Sequence, residues 1–171
     1  MKVLFVIAPD RYREEEFKVT SGIISEAGIE YDVASTKEGT CIGMTGGEQE
    51  ANLKISDASE KDYDALILIG GLGTRDFLWA DDDLCKLTKE FGEAGKVVAG
   101  ICLAPVIMAR AGVLKDRQAT VFEFPASLKL LEDGGANYVN IPVVSDMNII
   151  TANQPVASEK FAEAILEKLG C

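Results

Sequence analysis

Val97-Val98-Ala99-Gly100-Ile101-Cys102-Leu103-Ala104-Pro105 runs from a buried strand directly into a helix, with a cysteine at the junction. Val97 to Ile101 is an unbroken apolar run, the pattern of a strand covered on both faces. Pro105 suits the first turn of a helix, where its missing N–H leaves no hydrogen bond unmade. Gly100 and Ala104 stand two residues either side of Cys102. A sharp strand-to-helix turn, a nucleophile elbow, demands such small residues because its backbone segments pass close together. A cysteine held there lies over a helix N-terminus, whose free N–H groups and dipole favour an anion. The arrangement predicts a reactive thiol with a pKa below its ordinary value. The competing reading is an inert core thiol, since free cysteine is among the most buried residue types.

Outward from this turn the chain repeats the same logic. Val3 to Ala8 and Ala65 to Ile69 are all-apolar strands, the second closed by Gly70-Gly71. Phe17 to Ala27 has helical spacing and ends at Gly28. Ile29 to Ala34 reads as a strand, and Thr36 to Lys54, rich in Gly, Thr and Glu, as a small hairpin. Asp81, Asp82 and Asp83 precede Leu84-Cys85-Lys86-Leu87, an N-cap followed by a helix. Pro105 to Ala111 forms a helix ended by Gly112. Short strands follow around 119–122, 138–144 and 148–151, and a helix over 159–169 closes the chain. Strands alternating with helices build a mostly parallel sheet with helices on both faces, here with some antiparallel strands near the C-terminus. No repeat or linker interrupts it, so residues 1–171 read as one α/β domain. Function in such sheets gathers at the carboxyl ends of the strands, which places Asp10–Glu16, Gly70–Asp76 and Gly100–Pro105 together.

Composition narrows the chemistry. The 171 residues are 47% hydrophobic and 26% charged, as in a globular domain able to fold without staples. A net charge of −11 argues against nucleic acid and anionic membrane as partners. The chain has no histidine, which excludes Ser-His-Asp and Cys-His catalysis and any His-ligated metal. No two of Cys41, Cys85, Cys102 and Cys171 have C-x-x-C spacing, so no metal site is expected. Gly70-Gly71-Leu72-Gly73-Thr74-Arg75-Asp76 has Asp76 where a dinucleotide loop needs its third glycine, and no P-loop is present, so no cofactor is expected. The apolar N-terminal run is too short for a signal peptide or a membrane span, which points to the cytoplasm and reduced thiols. Cys41, Cys85 and Cys171 read as structural, and Trp79 and the phenylalanines as core or interface.

Gly100-Ile101-Cys102-Leu103-Ala104-Pro105 resembles the nucleophile turn of the ThiJ/PfpI superfamily, also written DJ-one/PfpI, with its class I glutamine-amidotransferase-like fold. The resemblance covers the whole chain. Met1-Lys2-Val3-Leu4-Phe5 is similar to the family's first strand, and Tyr63 to Gly71 to its middle strand and Gly-Gly turn. Ala109 to Leu114, with Ala119-Thr120, is similar to the stretch after the nucleophile. It implies a flavodoxin-like three-layer sandwich in which Cys102 is the reactive cysteine and the N–H groups of Gly71 and Leu103 form an oxyanion pocket. The family's glutamate beside the cysteine, counted back from Gly28, falls on Glu16, with Glu15 as second choice; of Glu14, Glu15 and Glu16, two are expected to be solvated. The two histidine positions of family members are Leu103 and Phe124 here. Arg75 and Asp76 fall near a third acidic position and read as a surface pair. The resemblance implies a cysteine hydrolase or lyase acting on small carbonyl, amide or peptide substrates, and a homodimer or larger homo-oligomer. The alternative is a redox-sensing, stress-response or interaction protein that uses oxidation of Cys102, since both histidines are lost.

Overall fold

The computed structural model describes all 171 residues. In chain order its elements are β1 (Lys2–Val6), β2 (Asp10–Tyr12), α1 (Glu14–Glu26), β3 (Glu30–Ser35), β4 (Gly39–Gly43), β5 (Glu48–Ala51) and β6 (Leu53–Lys54). They continue with β7 (Ala65–Leu68), α2 (Asp82–Glu93), β8 (Val97–Ile101), α3 (Pro105–Arg110), β9 (Gln118–Ala119), α4 (Pro125–Asp133), β10 (Asn137–Tyr138), β11 (Val143–Asp146), β12 (Ile149–Ala152) and α5 (Ser158–Leu169).

The main sheet has seven strands in the order β11-β12-β8-β7-β1-β3-β6. All its pairings are parallel except the edge pair of β11 and β12. The apolar runs fill its centre: Val3 to Val6, Ala65 to Ile67, and Val98, Ala99 and Ile101 have no exposed surface. From β1 the chain crosses to β3 on one side, whereas from β7 it crosses to β8 on the other. Right-handed crossovers in opposite directions put their helices on opposite faces. Accordingly α1 packs against α5, while α3 packs against both α2 and α4. The strand order reverses between β1 and β7, so a crevice opens beyond their carboxyl ends, beside the end of β8. Asp81 caps α2 by accepting from the Leu84 N–H at 2.8 Å. No helix is long and apolar enough to cross a membrane.

Three features depart from the sequence reading. The strand expected over 138–144 is two strands. Asn137–Tyr138 pairs with β9 in a small separate ladder, and Val143–Asp146 pairs with β12. Pro142 lies between them and cannot donate to a ladder. The expected hairpin is β4 and β5, but Asp10–Tyr12 joins it as a third strand rather than running as a loop. Helix α4 was not anticipated. Pro125 opens it, and the Ser127 hydroxyl accepts from the Phe124 N–H at 3.3 Å.

Candidate active site

Strand β8 delivers Cys102 to the crevice with φ at +61°. That left-handed conformation is unfavourable for a residue with a side chain, and the surroundings impose it. The Cys102 N–H donates to the Ala152 carbonyl at 2.9 Å, and its own carbonyl accepts from the Phe122 N–H at 2.8 Å. A β-carbon at Gly100 would lie 2.6 Å from Met108 Sδ and 3.3 Å from the Pro105 nitrogen, so a larger residue crowds the turn. The steric logic of the elbow is therefore realised.

Helix α1 carries Glu16 across the end of the sheet to this turn. Its carboxyl is fully buried. Oε2 accepts from the Gly70 N–H at 2.8 Å. Oε1 is buried without a hydrogen-bond partner of good geometry, which leaves it free for the Cys102 sulfur beside it. Gly70 is the wall of the pair: a β-carbon there would stand 2.7 Å from Cys102 Cβ and 2.8 Å from Glu16 Oε2. Gly71, at φ +120°, turns the chain so that its N–H and that of Leu103 favour an anion on the sulfur. The structure thus brings together Cys102, Glu16, Gly71 and Leu103.

The electrostatics differ from the sequence expectation. Burial raises the Cys102 thiol pKa above its ordinary value, the Glu16 charge raises it further, and the Leu103 and Gly71 donors only partly offset this. Helix α3 spans six residues, too short to add much dipole. Burial also raises Glu16, to about 7, against the pull of the Gly70 N–H and the Cys102 thiol. Two acids packed in one dry space hold one negative charge, so near neutral pH the pair releases one proton, chiefly from Glu16, and leaves a carboxylate beside the thiol to take its proton as the sulfur reacts. Activation of the thiol is a property of the pair.

Of the neighbouring glutamates, Glu15 is exposed and reaches Arg13 at 3.4 Å. Glu14 corrects the expectation that two of the three are solvated. It is buried and takes hydrogen bonds from the Thr45 N–H at 3.1 Å, the Gly47 N–H at 2.9 Å and the Thr45 hydroxyl. Burial pulls its pKa upward, but the Thr45 hydroxyl and the Gly47 and Thr45 N–H groups win and hold it down at about 2. Asp76 pairs with Arg75 at 3.0 Å, as a surface pair should, and also with Arg11 at 2.9 Å, which ties the first loop to the loop after β7.

Sequence reasoning missed the part played by Trp79. One π-helical turn, Thr74–Leu78, leads from Gly71 to Trp79, whose indole N–H donates to the Leu103 carbonyl at 2.8 Å. Its ring stacks on Phe124 at 6.2 Å and 12°. The contact joins residues 24 apart, and no local pattern announces it. All four cysteines are free. No group of three or more His, Cys, Asp or Glu side chains is placed to hold a metal ion.

The family model described as the DJ-1/PfpI family matches residues 1–168. The chain is 40% identical to the uncharacterized protein MJ0967 of Methanocaldococcus jannaschii over 98% of this chain and 82% of that one. It is 31% identical to the deglycase TK1284 of Thermococcus kodakarensis over 91% of each. Among solved structures, a ThiJ/PfpI domain protein from Brachyspira murdochii superposes with a TM-score of 0.93 at 32% identity, covering 99% of this chain and 96% of the other.

Proposed function

The chain belongs to the DJ-1/PfpI family, and on that premise we propose that it is a cysteine-dependent enzyme acting on small reactive carbonyl compounds, α-oxoaldehydes and their adducts, without a cofactor. The observation that carries this reading is the Glu16 carboxyl, raised to about 7 and set directly beside Cys102. A group titrating near working pH both takes and returns a proton efficiently. In the proposed reaction the Cys102 sulfur bonds to the aldehyde carbon, and the carbonyl electron pair moves to oxygen. Glu16 holds the proton that the thiol gives up and delivers it to that oxygen. The N–H groups of Gly71 and Leu103 stabilise the charge as it develops. For an α-oxoaldehyde, transfer of the former aldehyde proton to the adjacent carbon, with the hydroxyl proton passing to the ketone oxygen, gives a 2-hydroxy thioester. Water then releases the 2-hydroxy acid and restores the thiol, so the sum is substrate plus water, with no external oxidant or reductant. The likeness to a relative named deglycase supports the same substrate class.

Peptide bonds fit less well. Their amine leaving group needs a general acid of its own, and a chain without histidine offers only the enclosed Glu16. A second reading, oxidation of Cys102 by a peroxide, draws on the same Gly71 and Leu103 donors, which would hold the oxygen of a reversible sulfenate or of a sulfinate formed beyond it.

The test is consumption of methylglyoxal and release of lactate by the wild type, Cys102→Ser and Glu16→Gln, with peptide and amide substrates in parallel. We expect lactate formation that Cys102→Ser abolishes and Glu16→Gln lowers by about 100-fold or more. Turnover that survives Cys102→Ser contradicts the proposal. Absence of turnover together with oxidation confined to Cys102 replaces it with the redox reading.

A further inference from the structure

We propose that Trp79 is a positioning residue for the reactive centre: its indole N–H fixes the turn after Cys102 so that the Leu103 N–H stays aimed at the sulfur and at the oxygen of a bound substrate. The inference deepens the reading above, since it rests on Cys102 being the reactive group.

The elbow is locked into the sheet through Ala152, and the Phe122 N–H holds the Cys102 carbonyl, which shares its peptide plane with the Leu103 N–H. After it, α3 is six residues long and Ala104 provides no side-chain cap. The Leu103 carbonyl lies on this side, and its partner from outside the turn is the Trp79 indole at 2.8 Å. A carbonyl held by this partly buried donor has its peptide plane fixed, and that plane is joined to the Leu103 N–H through one pair of dihedral angles.

The same segment reaches the sulfur a second time. Residues 71 to 79 carry the other donor, Gly71, at one end and Trp79 at the other. Between them the π-helical turn is itself pinned: the Thr74 hydroxyl donates to the Ile69 carbonyl at 2.9 Å, the Thr74 N–H to Gly71 at 3.1 Å, and the Trp79 N–H to Thr74 at 3.0 Å. One short, rigid spacer therefore sets both donors relative to each other. A π turn is rare and recurs at functional sites. Here its wider ring sets where Trp79 emerges. The stack on Phe124, at 6.2 Å and nearly parallel, holds the indole in the plane that its N–H needs. Phe124 is thus an aromatic brace that acts on the elbow through Trp79.

The experiment compares full-length wild type with Trp79→Phe and with Trp79→3-benzothienylalanine, which keeps the bicyclic shape and lacks only the N–H. Iodoacetamide alkylation of Cys102 is followed by intact mass as a function of pH, with thermal midpoints and the Leu103 amide resonance recorded on the same samples. We expect both variants to alkylate Cys102 about 5- to 10-fold more slowly near neutral pH, as loss of one hydrogen bond to the turn implies. The pH midpoint should move upward and the Leu103 amide proton should shift. An unchanged rate and midpoint in the benzothienylalanine variant overturns the proposal, whatever Trp79→Phe does to the fold. A lowered thermal midpoint with an unchanged pH profile overturns it too, because that is a purely structural role. A wild type that turns over no carbonyl substrate contradicts the proposed function instead and leaves this comparison readable.

Discussion

Glu16 and Cys102 are each disfavoured as anions by burial; the Glu16 charge disfavours the thiolate further, whereas the Cys102 thiol favours the Glu16 carboxylate without overcoming its burial. This makes Glu16 a group whose ionisation opposes folding. Its folded pKa, about 7, lies above the ordinary carboxylate value of 4.5. Its contribution to stability is therefore intact below about pH 4.5 and is lost as pH rises through about 7. For a shift of that size in a buried group the loss is about 3 kcal/mol. Urea midpoints of the wild type should fall between those two pH values, and Glu16→Gln should flatten the fall; a wild-type midpoint that rises over that window would contradict the assignment. Cys102 was legible in the sequence because an elbow leaves a steric mark, small residues at fixed offsets. Glu16 was legible only through family resemblance and the distance to Gly28. The direction of the thiol shift was not legible, because it depends on how dry the site is, and residues from four segments decide that. Glu14 was missed for a related reason: its donors belong to residues 45 and 47, whose approach no local pattern announces.

Glu14 shows its importance at the level of the element. It pins the β4–β5 hairpin to the first turn of α1, the helix that carries Glu16; a β-carbon at Gly43 would collide with its side chain and one at Gly47 would crowd it. Its folded pKa of about 2 lies below 4.5. The stability it contributes is present above about pH 4.5 and disappears as pH falls through about 2, the opposite sense to Glu16. Glu14→Ala leaves the Thr45 and Gly47 N–H groups without their acceptor and should destabilise by about 1–3 kcal/mol. In hydrogen exchange those two amides should lose protection before the central sheet does; equal loss throughout the sheet would mean that the hairpin is not a separate unit. Long periodic elements such as α2 and α5 were legible because burial repeats with the helical turn. The Thr74–Leu78 turn was not, since a single π turn is shorter than any period. Helix α4 had its signals in Pro125 and in the spacing of Leu128 and Leu131, which the sequence reading passed over.

For the molecule as a whole, the continuous apolar runs of β1, β7 and β8 foretold a parallel sheet buried on both faces, and that is its centre. The order of strands was not legible, because apolar runs do not say which strands are neighbours. Nor was the division of the last strands between two ladders, because Pro142 acts only once its neighbours are paired. Leu66 lies in β7, fully buried between β1 and β8. Leu66→Ala should cost about 2–5 kcal/mol in urea unfolding while leaving the denaturant slope unchanged. A loss under about 1 kcal/mol would show that the central strand is not packed as described. All of this architecture converges on one claim: the Glu16–Cys102 pair, without any histidine, creates a reactive thiol. The most direct measurement is the pH dependence of alkylation, read by intact mass, for wild type, Cys102→Ser and Glu16→Gln. The account predicts one site that reacts with a midpoint near 7, as the pair's first ionisation requires. That site should vanish in Cys102→Ser and move to higher pH in Glu16→Gln. If Cys102 instead reacts no faster than an ordinary exposed thiol, with the same midpoint in Glu16→Gln, the pair does not activate the sulfur and the account is wrong.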